Sequence, residues 1–187
     1  MPRQLCFLSF FIIVFFSGMA TASTPRDPYE YLFQQSLGDF TEELEIASEE
    51  GKKAVFVFFE MDECPFCHRM KNTVLNQPEV QEAFTANFHA LAVDVEGDIE
   101  IVDFAGEETT QKEFARKNRV RATPVMAFYD LEGNQLVKYT GATSGSEEFL
   151  WLAEYVRDGI YKLKDDSGRK ISFARYKRLK LKQKQIN

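Results

Sequence analysis

The sequence predicts an α/β domain: a mixed four- to five-stranded sheet flanked by helices, preceded by an N-terminal helical extension. Three observations lead there. AVFVFFE at residues 54–60 is an apolar run too continuous for a strand with one wet face, and reads as a central strand covered on both sides. FHALAVDV at residues 88–95 is a second strand, and the helix-patterned segment between the two makes a βαβ unit. PVMAFYD and QLVKYTG, joined by Glu132-Gly133-Asn134, read as a hairpin. With 187 residues, 44% of them hydrophobic, the chain can bury a substantial core, so one globular domain is expected.

Along the chain, a basic MPR precedes the apolar LCFLSFFIIVFFSGM, and ATA follows with small residues at Ala20 and Ala22. That is the pattern of a signal peptide over residues 1–22, cut before Ser23; the alternative is a retained anchor, for which the run is short of the ~20 apolar residues of a spanning helix. Cys6 lacks the preceding small residues of a lipid-attachment site and is expected to leave with the signal. Residues 23–38 form the N-terminal extension. Phe40, Leu44 and Ala47 then recur at helical spacing between a capping Asp39 and Gly51. After the first strand, Phe66, Met70 and Val74 recur at i, i+4 and i+8 in a helix whose N-terminus carries Cys64. Asn76-Gln77-Pro78 breaks it and a brief helix follows. Residues 96–110 are acidic and irregular and read as an inserted surface loop, after which residues 110–120 return to helix. Phe149, Leu152, Ala153, Val156 and Ile160 mark one face of a closing helix. No internal repeat is present, and the order βα, β, α, ββ, α over residues 39–164 is that of a thioredoxin-like fold.

Residues 165–187 differ in composition. From Ser167 onward there are eight cations, Arg169, Lys170, Arg175, Lys177, Arg178, Lys180, Lys182 and Lys184, and no acid. With the whole chain at −6, setting aside these eight and Arg3 leaves residues 23–166 at −15. The segment reads as a solvated, partly helical tail; the sharper reading is a basic arm making weak contact with anionic membrane headgroups or an acidic partner. An exported acidic body argues against a nucleic-acid partner.

Without Cys6, the two remaining cysteines both lie in CPFCH, Cys64 to His68. They are too close to serve as a long-range staple, because closing so short a loop removes little chain entropy. CxxCH is the spacing of c-type haem attachment, whereas CxxC at a strand-to-helix junction is a dithiol redox centre. A small c-type cytochrome is a helical bundle and this motif follows a buried strand, which favours the dithiol. Zinc wants about four ligands, and only this pair, His68 and His89 are on offer; His89, opening a strand, reads as structural. No metal or other cofactor is expected. Thiols react as thiolates, and Cys64 at the first helical turn has unpaired N–H groups and the positive end of the dipole to stabilise one. Cys64 is therefore the expected nucleophile and Cys67, one turn in, the resolving thiol. Pro65 suits the first turn, where its missing N–H costs nothing. His68 is either near a thiolate or an ordinary surface residue. Glu60 is either a proton relay or a solvated strand-end acid.

FFEMDECPFCHRM, VDVEGDIEIVDFAGEETT and EFARKNRVRATPVMAFYDLEGNQLVKYTG resemble the SoxW-type exported thioredoxin-like proteins and, more widely, periplasmic disulfide reductases and isomerases. The resemblance covers about residues 39–162. It implies thiol–disulfide exchange in the periplasm on protein disulfides, as a reductant recharged by a membrane electron donor of the thiol-transfer type. It also implies that Cys64 and Cys67 are the redox pair, that Pro124 is a cis-proline facing it, and that the Thr123 backbone pairs with a substrate strand beside Pro65 and Phe66. Thioredoxins have a tryptophan before the first cysteine and a buried aspartate in the preceding strand; here Glu63 and Phe58 stand there, leaving Glu60 as the candidate relay. Three alternatives stand beside this: a disulfide-forming or glutaredoxin-like oxidant, since CPFC is similar to CPYC; a c-type haem protein; and a redox-silent peptide-binding module.

Overall fold

A computed structural model describes residues 24–186. The signal peptide expected over residues 1–22 lies outside them. The extension carries a short helix, α1 (Pro28–Tyr31), whose first turn is capped by the Asp27 side chain. Helix α2 (Phe40–Glu49) is capped in the same way by Asp39. There follow β1 (Ala54–Glu60), α3 (Pro65–Met70), which runs into a π-helical turn at Lys71–Leu75, α4 (Pro78–Thr85) and β2 (Phe88–Asp94). Next are β3 (Glu100–Val102), β4 (Glu108–Thr110), α5 (Gln111–Lys117), β5 (Val125–Tyr129), β6 (Gln135–Thr140), α6 (Ser146–Arg157), a 3-10 turn at Ile160–Lys162 and α7 (Phe173–Ile186).

The main sheet has the order β2-β1-β5-β6. β1 runs parallel to β2, with Ala54 opposite Phe88 and Glu60 opposite Asp94, as the βαβ reading requires. It is antiparallel to β5, and β5 to β6, so the hairpin is present. Gly133 in its turn has φ +81°, and a Cβ there would come within 2.9 Å of the Phe104 side chain. Because successive side chains point to opposite faces, β1 divides between two cores. Phe56 and Phe58 pack with Phe84, Phe128, Phe149 and the two cysteines beneath α3, α4 and α6. Val55, Val57 and Phe59 pack with Phe40, Leu44 and Phe114 beneath α2 and α5. All seven β1 residues are buried, which is the doubly covered strand expected. The edge strand β2 is partly closed by the extension, where Gln34 N–H donates to Ala90 C=O at 2.8 Å.

Three elements differ from the sequence reading. Residues 96–110 are not simply an irregular loop: β3 and β4 form a two-stranded ribbon, with Ile101 and Asp103 buried. Val102 N–H donates to Gly38 C=O, so the ribbon is fixed by the extension. Phe66 does not share the buried face of Met70 and Val74; it is 60% exposed. The π turn accommodates an extra residue, and the inward set becomes Cys67, Met70, Val74 and Leu75. The basic tail ends in helix α7, which lies on α6: Phe173 is buried, and Lys177, Lys180 and Lys184 bond Glu148, Glu154 and Glu147 at 2.8 to 2.9 Å. Its charge meets acids of the body rather than water alone.

Candidate active site

Cys64 is the N-cap of α3, with extended backbone, and its Sγ accepts the Cys67 N–H at 3.0 Å. Cys64 and Cys67 are joined in a disulfide with Cα atoms 5.2 Å apart. Cys67 is completely buried and Cys64 keeps 4% exposure, so any access from outside is to Cys64. Pro65 occupies the first helical position and Phe66 stands out beside it. The His68 Nε2–H donates to Asp62 C=O at 2.6 Å, bracing the loop before Cys64. A thioether link to haem at this CxxCH would have to draw Cys67 out of the core that also holds Phe58 and Met70.

The Thr123–Pro124 peptide is cis. Pro124 is buried and its C=O accepts Gly141 N–H at 2.9 Å, while Val125 pairs with Phe59, so the turn lies beside the strand that leads to the cysteines. Thr123 lines a groove with Met61, Val95, Ala115 and Val120, rimmed by Glu96, Lys112, Arg116 and Arg121. The sequence reading did not single out this groove.

Glu60 is not a solvated strand-end acid; it is 7% exposed. Its Oε1 accepts the Tyr29 hydroxyl and its Oε2 is paired with the Lys71 ammonium at 2.6 Å. Lys71 also donates to the Tyr29 oxygen at 3.2 Å. Burial, reinforced by the neighbouring Glu60 charge, pushes the Tyr29 phenol up to about 12. Burial alone would lower the Lys71 ammonium, but its bonds to Glu60 and Tyr29 outweigh that and raise it. Neither partner was legible beforehand, since Tyr29 lies 31 residues before Glu60.

His89 is buried in β2 on the opposite face of the sheet, bonded to Glu43 of α2. Burial would raise the Glu43 carboxyl, but hydrogen bonds from His89 and Ser36 hold it below the usual range. Among the described residues no cluster of three His, Cys, Asp or Glu side chains is arranged to hold a metal ion.

The family model for the thioredoxin-like domain matches residues 40–157. The chain belongs to the thioredoxin-like domain family. A thioredoxin-fold protein from Helicobacter pylori has a similar structure: TM-score 0.57, 23% identity, covering 71% of this chain and 87% of that one. A putative disulphide-isomerase from Bacteroides thetaiotaomicron superposes with TM-score 0.54 at 24% identity over 76% of this chain and 99% of that one. The DsbH oxidoreductase does so with TM-score 0.52 at 18% identity over 76% and 95%. No match to a curated protein sequence was found. This thioredoxin-like chain, with its CxxC pair at the start of α3, is a thiol:disulfide oxidoreductase. No helix among the described residues is long and apolar enough to cross a membrane.

Proposed function

We propose that the protein is an exported, periplasmic reductant of protein disulfides of the SoxW type, recharged by a membrane thiol-transfer donor. The observation that carries the reading is the placement of the pair, Cys64 at the open end of α3 and Cys67 sealed one turn behind it. In the reduced protein the Cys64 thiolate attacks a sulfur of the substrate disulfide, that S–S bond breaks, and one substrate thiolate leaves. Cys67 passes its proton to Glu60 and attacks the Cys64 sulfur. The mixed disulfide breaks, the second substrate thiolate leaves with its electron pair, and the enzyme is left oxidised. Thr123 offers backbone to the substrate strand beside Pro124, and Pro65 and Phe66 form the exposed shoulder against which it lies. The basic segment adds a weak membrane contact: Lys170, Arg178 and Lys182 have no acidic partner among the described residues.

Equilibration of the purified protein against glutathione and dithiothreitol buffers tests the direction of electron flow. A reductant requires a potential near that of thioredoxin, about −270 mV; a value near about −120 mV would instead make it an oxidant.

A further inference from the structure

We propose that Tyr29 and Lys71 are positioning residues of the redox centre, holding the Glu60 carboxylate against the active-site helix, so that the extension bearing Tyr29 is a working part of the dithiol site. The inference rests on the reading of Glu60 as proton acceptor for Cys67.

Glu60 has the same parity along β1 as Phe56 and Phe58, whose face packs against the core that contains both cysteines. Lys71 follows Cys67 by one helical turn, and its own N–H donates to Cys67 C=O. The ammonium that binds Glu60 therefore rises from the turn of helix next to the resolving cysteine. Oε1 accepts the Tyr29 hydroxyl, Oε2 is ion-paired with the Lys71 ammonium at 2.6 Å, and that ammonium stands 5.2 Å over the Tyr29 ring. Two donors from two different elements fix a side chain that would otherwise sample several rotamers at a strand end.

The extension that supplies Tyr29 is itself anchored. Asp27 caps α1, Leu32 is buried, Phe33 stacks on Phe58 at 5.8 Å and meets the Tyr29 ring at a tilt, 5.5 Å away, and Gln34 bonds the edge of β2. Both donors keep their protons through the range where a thiol titrates, since each is held above its ordinary value. Neither can take the Cys67 proton, which leaves the carboxylate as the acceptor in the cluster. Once Glu60 carries that proton, it passes it to the departing substrate thiolate.

The test uses the full chain and the single-turnover rate of mixed-disulfide resolution between pH 5 and 9, with circular dichroism to confirm folding. Glu60→Gln slows resolution about 10²-fold, the low end for general acid–base help, and removes one limb of the pH profile. Tyr29→Phe keeps the ring against Phe33; it slows resolution about tenfold, the equivalent of one hydrogen bond to a charged group, and displaces the same limb. The double variant is no slower than Glu60→Gln. Lys71→Arg keeps the wild-type profile, whereas Lys71→Met loses at least as much rate as Tyr29→Phe. A slow Glu60→Gln beside a Tyr29→Phe of wild-type rate and profile overturns the positioning role and leaves Glu60 in place; equal rates for the two Lys71 variants remove Lys71 from it. A Glu60→Gln of wild-type rate overturns the reading of Glu60, and this inference with it.

Discussion

Glu148→Gln asks how firmly the basic C-terminal helix is held. The Glu148 side chain is 7% exposed and collects four donors. Ser144 N–H at 3.1 Å and its hydroxyl at 2.6 Å reach Oε2, while Lys177 at 2.8 Å and the Tyr139 hydroxyl at 3.2 Å reach Oε1. Burial would raise the carboxyl, but Lys177 and Ser144 pull it from 4.5 down to about 2. At about 1.4 kcal/mol per pKa unit this amounts to about 3 kcal/mol of stability. Lys177 is one-third exposed, and screening there trims the figure to about 2 kcal/mol. The folded value lies below the unfolded one, so the contribution is complete well above pH 4.5 and fades as acid protonates Glu148, vanishing below about pH 2. Urea unfolding followed by circular dichroism should show Glu148→Gln less stable by about 2 kcal/mol at pH 7, a Tm lower by roughly 4–8 °C, with the gap closing to under about 1 kcal/mol at pH 3. Equal midpoints at pH 7, or a gap of constant size at pH 3, would refute the reasoning.

Cys67→Ser should accumulate a mixed disulfide through Cys64, visible by mass spectrometry, and Cys64→Ser should form none; trapping through Cys67 instead would reverse the assigned roles. Phe84→Ala removes a fully buried ring stacked 4.2 Å from Phe149 and edge-to-face with Phe56 at 5.0 Å, and should cost about 3–5 kcal/mol by denaturant unfolding, with less than about 1 kcal/mol counting against this packing. Three unpaired cations at about 1 kcal/mol each give binding to anionic vesicles no tighter than about 1 mM. Sedimentation in low salt should show weak pelleting that is lost when residues after Asp166 are removed; pelleting that survives truncation would place the contact elsewhere.

The main-sheet strands and the dithiol were legible because their determinants are local. An unbroken apolar run at residues 54–59 can only be buried on both faces, and a CxxC shortly after such a run stands at a helix start. What was missed depends on partners far off in sequence. β3 and β4 are three residues each in an acidic stretch where the Ile99–Ile101 alternation is too short to mark a strand, and they are ordered by pairing with one another and by Gly38. The π turn leaves no mark in residue spacing, because the packing of Met70, Val74 and Leu75 rather than propensity selects it. The acids of α6 and the bases of α7 read as two solvated faces until the helices are laid together, since their pairs span 26 to 37 residues.

The same dependence on distant partners explains the acid near the cysteines. Thioredoxins keep an aspartate in the strand at the position held here by Phe58, and a carboxylate at 60 lies one strand repeat, about 6.7 Å, further along the same face. That shift carries it to the end of β1, where a glutamate left to itself would face water and hold no fixed direction. Here α1 brings Tyr29 over it and the active-site helix brings Lys71 beneath, so the strand end is closed and the carboxylate is paired. The Phe58 ring stacks on Phe33 and anchors the segment that covers Glu60. Phe58 and the N-terminal extension are thus two parts of one packed arrangement that covers Glu60. A chain with aspartate in place of Phe58 should need Tyr29 less: in Phe58→Asp the rate penalty of Tyr29→Phe on mixed-disulfide resolution should shrink, and a penalty of undiminished size would show the two sites to be independent.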